Sequence, residues 1–364
     1  MDLDAVRAGL PVLDRFAYLN AGTNGPLPRR TVEAMETSLA RDLEQGRSSQ
    51  EYFEAMLGRR DEVRAALARF LDAPTETIAL TTSTTEGCNV VLNGLGIGPG
   101  DEVVTTDSEH PGLFGGLVAS GADLQIVPVR DLPAAELAGA FEEAITEQTK
   151  LIALSHVSWL TGVVFPVERL AGQGIPLLVD GAQAAGAIPV AAADLGCDFY
   201  TVSAQKWLLG PDVTGALFVR PERVEEMRMA MPSYGSWEFG DNYTYDPKAG
   251  AARFDPGWIA SASGVGLLES LAFAEEAGAD RYSHAAEMAA HLMHMLEGSG
   301  CEVVTEPDQA TLVTWKAEGD SKDVVVRLAD AGVVIRDLPG RGWLRASCGF
   351  WTNHEDLERL IGAL

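Results

Sequence analysis

Cysteine is scarce: Cys88, Cys197, Cys301 and Cys348 are the four in 364 residues. They are scattered, with no CxxC pair and no tight metal spacing, which argues against a disulfide framework or a zinc module. Buried, reduced thiols in a cytoplasmic protein are the expectation. Basic charge is also short, with Lys+Arg 27 against Asp+Glu 53 and a net charge of −26. Nucleic acids and anionic membranes require a positive surface, so neither is an expected partner. No apolar run approaches the ~20 residues that cross a bilayer, and MDLDAVRAGL lacks the basic start of a signal peptide. There is no GxxxxGK[ST]. GLGIGPG at 94–100 follows a helical stretch rather than a strand, and Pro99 would break any helix it opened, so it is not read as a dinucleotide fingerprint. His284, His291 and His294 share a helical side flanked by Met288, Met293 and Met295. They are read as helix surface and core, and no metal is expected.

What remains is ordinary for a globular chain: 46% hydrophobic and 22% charged residues, enough for one large domain and a smaller lobe. Short apolar runs (ETIALTTS, EVVTTD, LQIVPV, LIALSHV, LLVD, FYTVSA, TGALFV) alternate with helical patterns such as 134–145. This predicts α/β units and a mostly parallel sheet with helices on both faces. Residues 1–27 read as irregular. A helical pattern over Arg29 to Leu71 is interrupted near Gly46 to Ser49. Residues 231–261 form a long aromatic excursion without a period, of a kind that is usually functional. Helical periodicity resumes from about Ala262 to Leu296. Short strands (CEVV, ATLVTW, GVVIR, WLRAS), a helix near 321–331 and a closing helix NHEDLERLIGAL predict a small α+β lobe.

Residues 177–206 carry the chemistry. The run Leu177 to Val179 ends on Asp180, and the run Phe199 to Val202 ends just before Lys206. Ligands of an open parallel sheet sit beyond the carboxyl ends of the strands, so both side chains can reach one pocket. A lysine for a Schiff base and a carboxylate facing the pyridinium nitrogen are what pyridoxal 5'-phosphate (PLP) requires. Taken singly, Lys206 reads as a surface lysine and Asp180 as a helix cap. Gln183 is placed to donate to the 3′-oxygen of the ring. TTSTTEG at 81–87 places hydroxyls at a helix start, an anion site. Thr84 and Thr85, with Ser203 and Gln205, are the candidates for the phosphate. His110, in SEHPG, is a candidate for stacking on the ring and for proton transfer. Arg345, in WLRAS, has the planar fork that suits a substrate carboxylate. Tyr234, Trp237, Tyr243 and Tyr245 are expected to shape the substrate pocket.

From YLNAGT near residue 18 onward, the chain resembles the class V aminotransferase family of PLP enzymes, which includes cysteine desulfurases and isopenicillin N epimerase-like proteins. The motifs are TTSTTEG, DSEHPG, VDGAQAAG, SAQKWLLGP, ARFDPG and LRAS. The resemblance implies a PLP-dependent transferase (aspartate aminotransferase-like) fold. Residues 1–19 would be an arm on the small domain, 20–261 the large PLP-binding domain, and 262–364 the small one. It also implies a homodimer with shared active sites. Lys206, Asp180 and His110 would be catalytic; Thr84, Thr85, Gln183, Ser203 and Gln205 would help hold the cofactor. Arg345 and Asn20 would bind the substrate. Departures bear on the subtype: Gln205 replaces the desulfurase histidine before the lysine, Trp159 stands for asparagine, and Trp258 for a threonine. No cysteine lies between Cys301 and Arg345, so a persulfide relay lacks its acceptor. The expectation is an enzyme acting on an α-amino carboxylate, epimerase-like or C–S/β-lyase-like. Desulfurase or aminotransferase chemistry, or a catalytically silent PLP-binding protein, are the alternatives.

Overall fold

The computed structural model describes residues 1–257 and 259–364; Trp258 and its expected cross-subunit position lie outside the described residues. Along the chain run α1 (Leu3–Ala8), β1 (Ala17–Tyr18), α2 (Arg29–Gln45), α3 (Gln50–Phe70), β2 (Ile78–Thr81), α4 (Thr84–Leu95) and β3 (Glu102–Thr106). Then come α5 (Pro111–Ser120), β4 (Asp123–Val127), α6 (Leu137–Ala144), β5 (Thr149–Ser155), α7 (Val167–Leu170), β6 (Leu177–Asp180), β7 (Phe199–Ser203) and β8 (Gly215–Val219). A hairpin, β9 (Trp237–Phe239) and β10 (Tyr245–Pro247), precedes α8 (Ser261–Glu276) and α9 (Asp280–Gly298). The last elements are β11 (Leu312–Lys316), α10 (Ser321–Asp330), β12 (Val333–Val334), β13 (Arg336–Leu338), β14 (Trp343–Ser347) and α11 (His354–Ala363).

Local chemistry explains most boundaries. Gly46, at φ +76°, ends α2, and the Ser49 side chain accepts the Tyr52 N–H to open α3. Asn353 and Asp356 cap α11 reciprocally, a two-donor arrangement that fixes a helix start. The amino-terminal stretch is more ordered than its turn-forming residues suggest. Asp2 accepts the Ala5 N–H at 3.1 Å and starts α1, because an Asp cap satisfies an otherwise orphaned donor. CEVV does not extend into a strand: Val303 bridges Trp315, flanked by the Val304 N–H to Thr314 O and Lys316 N–H to Glu302 O bonds.

Seven strands form the main sheet in the order β2-β8-β7-β6-β5-β3-β4, parallel throughout except where β8 runs against β7 and β2. β6 and β7 are buried along their whole length, which is why their sequences are continuously apolar rather than alternating. Separate apolar cores lie on the two faces. A second sheet, β11-β14-β13, is antiparallel and shares its own core with α9, α10 and α11. β1 pairs with β12, so the amino-terminal arm joins the small lobe. α8 lies against α2 and α3.

The 231–257 excursion is tied down at its end. Asp255 is fully buried and accepts from Arg60 Nη2 at 2.5 Å, Arg64 Nη2 at 2.8 Å and the Leu80 N–H at 2.8 Å. Removing one member of a buried ion cluster leaves uncompensated charge, at a cost of about 3–5 kcal/mol. Asp255→Ala should therefore lower stability by about that amount, seen as a lower urea midpoint at unchanged slope.

Candidate active site

β6 and β7 are parallel neighbours with Asp180 opposite Thr201, so their carboxyl ends open on the same side. Asp180 is the last residue of β6, and Lys206 lies three residues beyond the end of β7. Asp180 is buried and its Oδ1 accepts the Ala182 N–H at 2.8 Å. Burial raises its pKa, while Lys206 and the Ala182 bond oppose that rise. Lys206 moves the other way. Burial pushes its amine down to about 8 against the pull of Asp180, with Arg345 and Arg336 adding to the fall. A lysine desolvated in this way is a better nucleophile at neutral pH.

The loop holding Lys206 is fixed by its backbone. The Gly25 N–H donates to Gln205 O at 2.8 Å, and the Leu209 N–H donates to Lys206 O at 3.2 Å. A side chain at Gly25 would strike the Lys206 carbonyl, and one at Gly22 would lie 2.6 Å from Arg345 Nη2. The glycines of the amino-terminal arm thus let backbone close over the pocket.

Two of the predicted phosphate residues meet. Ser203 Oγ accepts the Thr84 N–H at 2.8 Å and donates to Thr84 Oγ1 at 3.2 Å, joining the end of β7 to the start of α4. Thr85, exposed on the first turn of that helix, lies against Gly112. Gln205 Oε1 is buried without a partner. Gln183 donates to Gly22 O and accepts from Trp207 Nε1, both at 2.9 Å, leaving one amide hydrogen. His110 caps α5, and its Nδ1 accepts the Gly112 N–H at 3.1 Å. Burial first, then the charges of Lys206, Arg336 and Arg345, push its pKa down to about 4. The ring is neutral at pH 7 with its proton on Nε2.

Arg345 is fully buried in β14. Its Nη1 donates to Trp159 O at 2.7 Å, while Nε and Nη2 have no partner. Burial and Arg336 push its pKa down to about 9, so it stays charged at neutral pH. Asn20 bridges to Ser347 and accepts from Thr23 Oγ1 at 2.9 Å. Three residues not singled out as site candidates join this group. Trp159 meets His110 edge-on, with ring centroids 5.2 Å apart, and its buried Nε1 has no acceptor. Glu109 is buried and accepts from Thr106 Oγ1, Ser155 N and Ser155 Oγ, and its pKa rises to about 7, burial being the main cause. Arg336 lies opposite Arg345; only the alternation of a correctly registered strand would have drawn attention to it.

The excursion aromatics meet one another. Tyr234 meets Phe53 and Phe239, and Tyr245 meets Trp237 and Phe239. Tyr243 is 91% exposed.

Among the described residues, four of the eight buried polar atoms without partners are Gln205 Oε1, Trp159 Nε1, and Arg345 Nε and Nη2. Orphaned buried polar atoms cost free energy, and their concentration around Lys206 suits a polar, anionic cofactor and substrate. PLP fits this donor set: an amine, a buried carboxylate, a helix start with hydroxyls, and a neutral imidazole.

Residues 17–360 match the family Aminotransferase class-V. A probable cysteine desulfurase of Xylella fastidiosa is 28% identical over 100% of this chain and 95% of that protein. The isopenicillin N epimerase of Streptomyces clavuligerus is 27% identical over 100% and 98%. Among solved structures, the cystine C–S lyase C-DES in complex with its product cysteine persulfide superposes with a TM-score of 0.91 at 27% identity, covering 97% of this chain and 98% of that one. A C-DES mutant with glycine covalently linked to the PLP cofactor gives 0.91 at 26%, covering 98% of each. None of the helices is long and apolar enough to cross a membrane among the described residues. Matched over nearly its whole length, and with a pocket suited to the cofactor, the chain belongs to the class V aminotransferase family and is a PLP-dependent enzyme.

Proposed function

We propose that the chain eliminates a sulfur-containing group from the β-carbon of an α-amino acid, as a cytoplasmic homodimer whose active sites share residues. Bound at Lys206, the cofactor supplies an electron sink for negative charge at the substrate α-carbon. Lys206 would hold the cofactor, and its Nζ would take the α-proton; a pKa near 8 keeps part of the amine neutral at physiological pH. Asp180 would hold its negative charge toward the ring nitrogen, and Gln183 would have its remaining amide hydrogen for the 3′-oxygen. His110 would cover the ring face in neutral form. The start of α4 with Thr84, Thr85, Ser203 and Gln205 would hold the phosphate. Arg345 Nε and Nη2 take the α-carboxylate, with Asn20 beside them. The division at 1–19, 20–261 and 262–364 belongs to this reading; the separate core around β11 and β14 supports a small lobe, while Leu267 and Leu271 of α8 pack in the large core.

One observation carries the choice of elimination. No thiol stands where it could accept sulfur from the substrate: Cys88, Cys197 and Cys348 are buried with raised pKa values. Cys301, only partly buried, lies after α9 in a hollow with Trp315 and Lys316. A persulfide relay needs an accessible thiolate; without one, the sulfur leaves in the product. The likeness to the cystine C–S lyase agrees with this. Incubation with L-cystine and S-substituted cysteines should release pyruvate and ammonia. Alanine as the product, with sulfur left on the protein, would establish a desulfurase instead. Inversion at the α-carbon without ammonia would favour epimerisation, the reaction named in the Streptomyces clavuligerus relative.

A further inference from the structure

Arg336 is the second cation of the pocket, and no step above uses it. It lies directly opposite Arg345 across the antiparallel pair β13–β14, which puts both side chains on one face of the small sheet. Like charges opposite each other destabilise a sheet, so the pairing carries a cost that packing alone does not explain. The guanidinium donates to Thr23 Oγ1 at 3.3 Å and to Asp337 O at 3.0 Å, and its carbon lies 6.0 Å from the centre of the Trp159 ring. Thr23 in turn donates to Asn20 at 2.9 Å. The charge is close enough to depress the pKa values of His110, Lys206 and Arg345.

No carboxylate among the described residues lies within ion-pair distance of Arg336 or Arg345. In a chain with 53 acidic and 27 basic residues, acids are abundant, and other buried arginines such as Arg60 and Arg64 have one. Two adjacent arginines left without acids, at one pocket, leave room for two anionic groups. Arg345 is fully buried and Arg336 only partly so. The inner cation therefore takes the α-carboxylate and the outer one a group farther along the side chain.

We infer that Arg336 is a specificity-determining residue and that the substrate is an α-amino acid with a second anionic group on its side chain. Trp159 serves as the platform that holds the guanidinium in place. This rests on the reading of Arg345 as the α-carboxylate site and refines the substrate class of the same pocket.

The test uses the PLP-loaded protein and probe pairs that differ only in the distal charge: S-carboxymethyl-L-cysteine against its amide S-carbamoylmethyl-L-cysteine, and L-glutamate against L-glutamine. Dissociation constants are read from the change in visible absorbance on binding. At least one acid should bind about 10- to 100-fold more tightly than its amide, the scale of one charge-assisted contact. Arg336→Gln should reduce that ratio to near one while leaving amide binding unchanged, and Arg336→Lys should retain part of it. Equal loss of acid and amide binding in Arg336→Gln would mean that both arginines grip the α-carboxylate, and the proposal would be wrong. So would a wild-type protein that does not distinguish the members of either pair. A protein showing no lysine-linked absorbance band would defeat the cofactor reading alone. The same pairs, titrated calorimetrically into that protein, would still decide the role of Arg336 by the same ratios.

Discussion

Lys206→Ala should yield a folded protein that has lost essentially all turnover. Proton transfer by a positioned side chain contributes about 10²–10⁴-fold, and this side chain is also the covalent attachment point, so the loss should reach or exceed the upper end of that range. Stability should not suffer. The amine is desolvated enough to bring its pKa to about 8, and it has no hydrogen-bond or ion-pair partner among the described residues. Removing it relieves a buried amine, breaks no hydrogen bond and gives up only the attraction to Asp180. The apoprotein of the variant should melt no lower than that of the wild type. After borohydride treatment and dialysis the wild type should retain cofactor absorbance on the protein and the variant should retain none, because nothing remains to be reduced onto the chain. Turnover within tenfold of wild type would rule out Lys206 as the proton carrier.

The second large effect is expected at Asp180. Asp180→Asn keeps the size of the side chain, and the amide oxygen can still accept the Ala182 N–H. What disappears is a buried negative charge. Removing one preorganised electrostatic contact costs about 10²–10³ in turnover, and that is the expected loss, with the cofactor still bound and coloured. A pH dependence follows, with a definite sign. Asp180 stabilises the ammonium form of Lys206 and raises its pKa; without that charge, the amine pKa falls below about 8. Condensation of the apoprotein with added PLP, followed spectroscopically against pH, should therefore reach its plateau at lower pH in Asp180→Asn than in wild type. An unshifted profile would show that the acid and the amine do not interact.

Much of this site was legible before the fold was known, for one physical reason. A charged residue at the end of a wholly apolar strand has few places to go, and Asp180 after LLV is such a residue. Lys206, between FYTVSA and WLLGP, is another. Hydroxyls in TTSTTEG mark a helix start by the same local logic, and Ser83 does cap α4. Strand reading failed where locally suitable residues make only a short pairing: CEVV meets β11 through the Val303–Trp315 bridge, the Val304 N–H to Thr314 O bond and the Lys316 N–H to Glu302 O bond, and extends no further. The opposite error arose at the start of the chain, where a single Asp cap outweighed the turn-forming residues that follow it.

Long-range pairings were not legible. Arg336 and Arg345 are nine positions apart, and nothing local announces that β13 and β14 set them face to face. Gln183 and Gly22 meet across 161 residues, as do Asp255 and the two arginines of α3 across 191 and 195. The excursion aromatics looked like pocket walls because aromatics in long loops often are. In the single chain they satisfy one another around a short hairpin.

By itself the sequence determined which side chains end the central strands, and hence the amine, the acid and the helix start that a phosphorylated aldehyde cofactor requires. Strand periodicity and caps are set by near neighbours, so they survive in one dimension. The tertiary structure alone decided what the pocket leaves unpaired: the free Nε and Nη2 of Arg345, the unmatched indole N–H of Trp159, and Arg336 without an acid. An unmet partner is a property of everything that surrounds an atom, and only the folded chain supplies those surroundings.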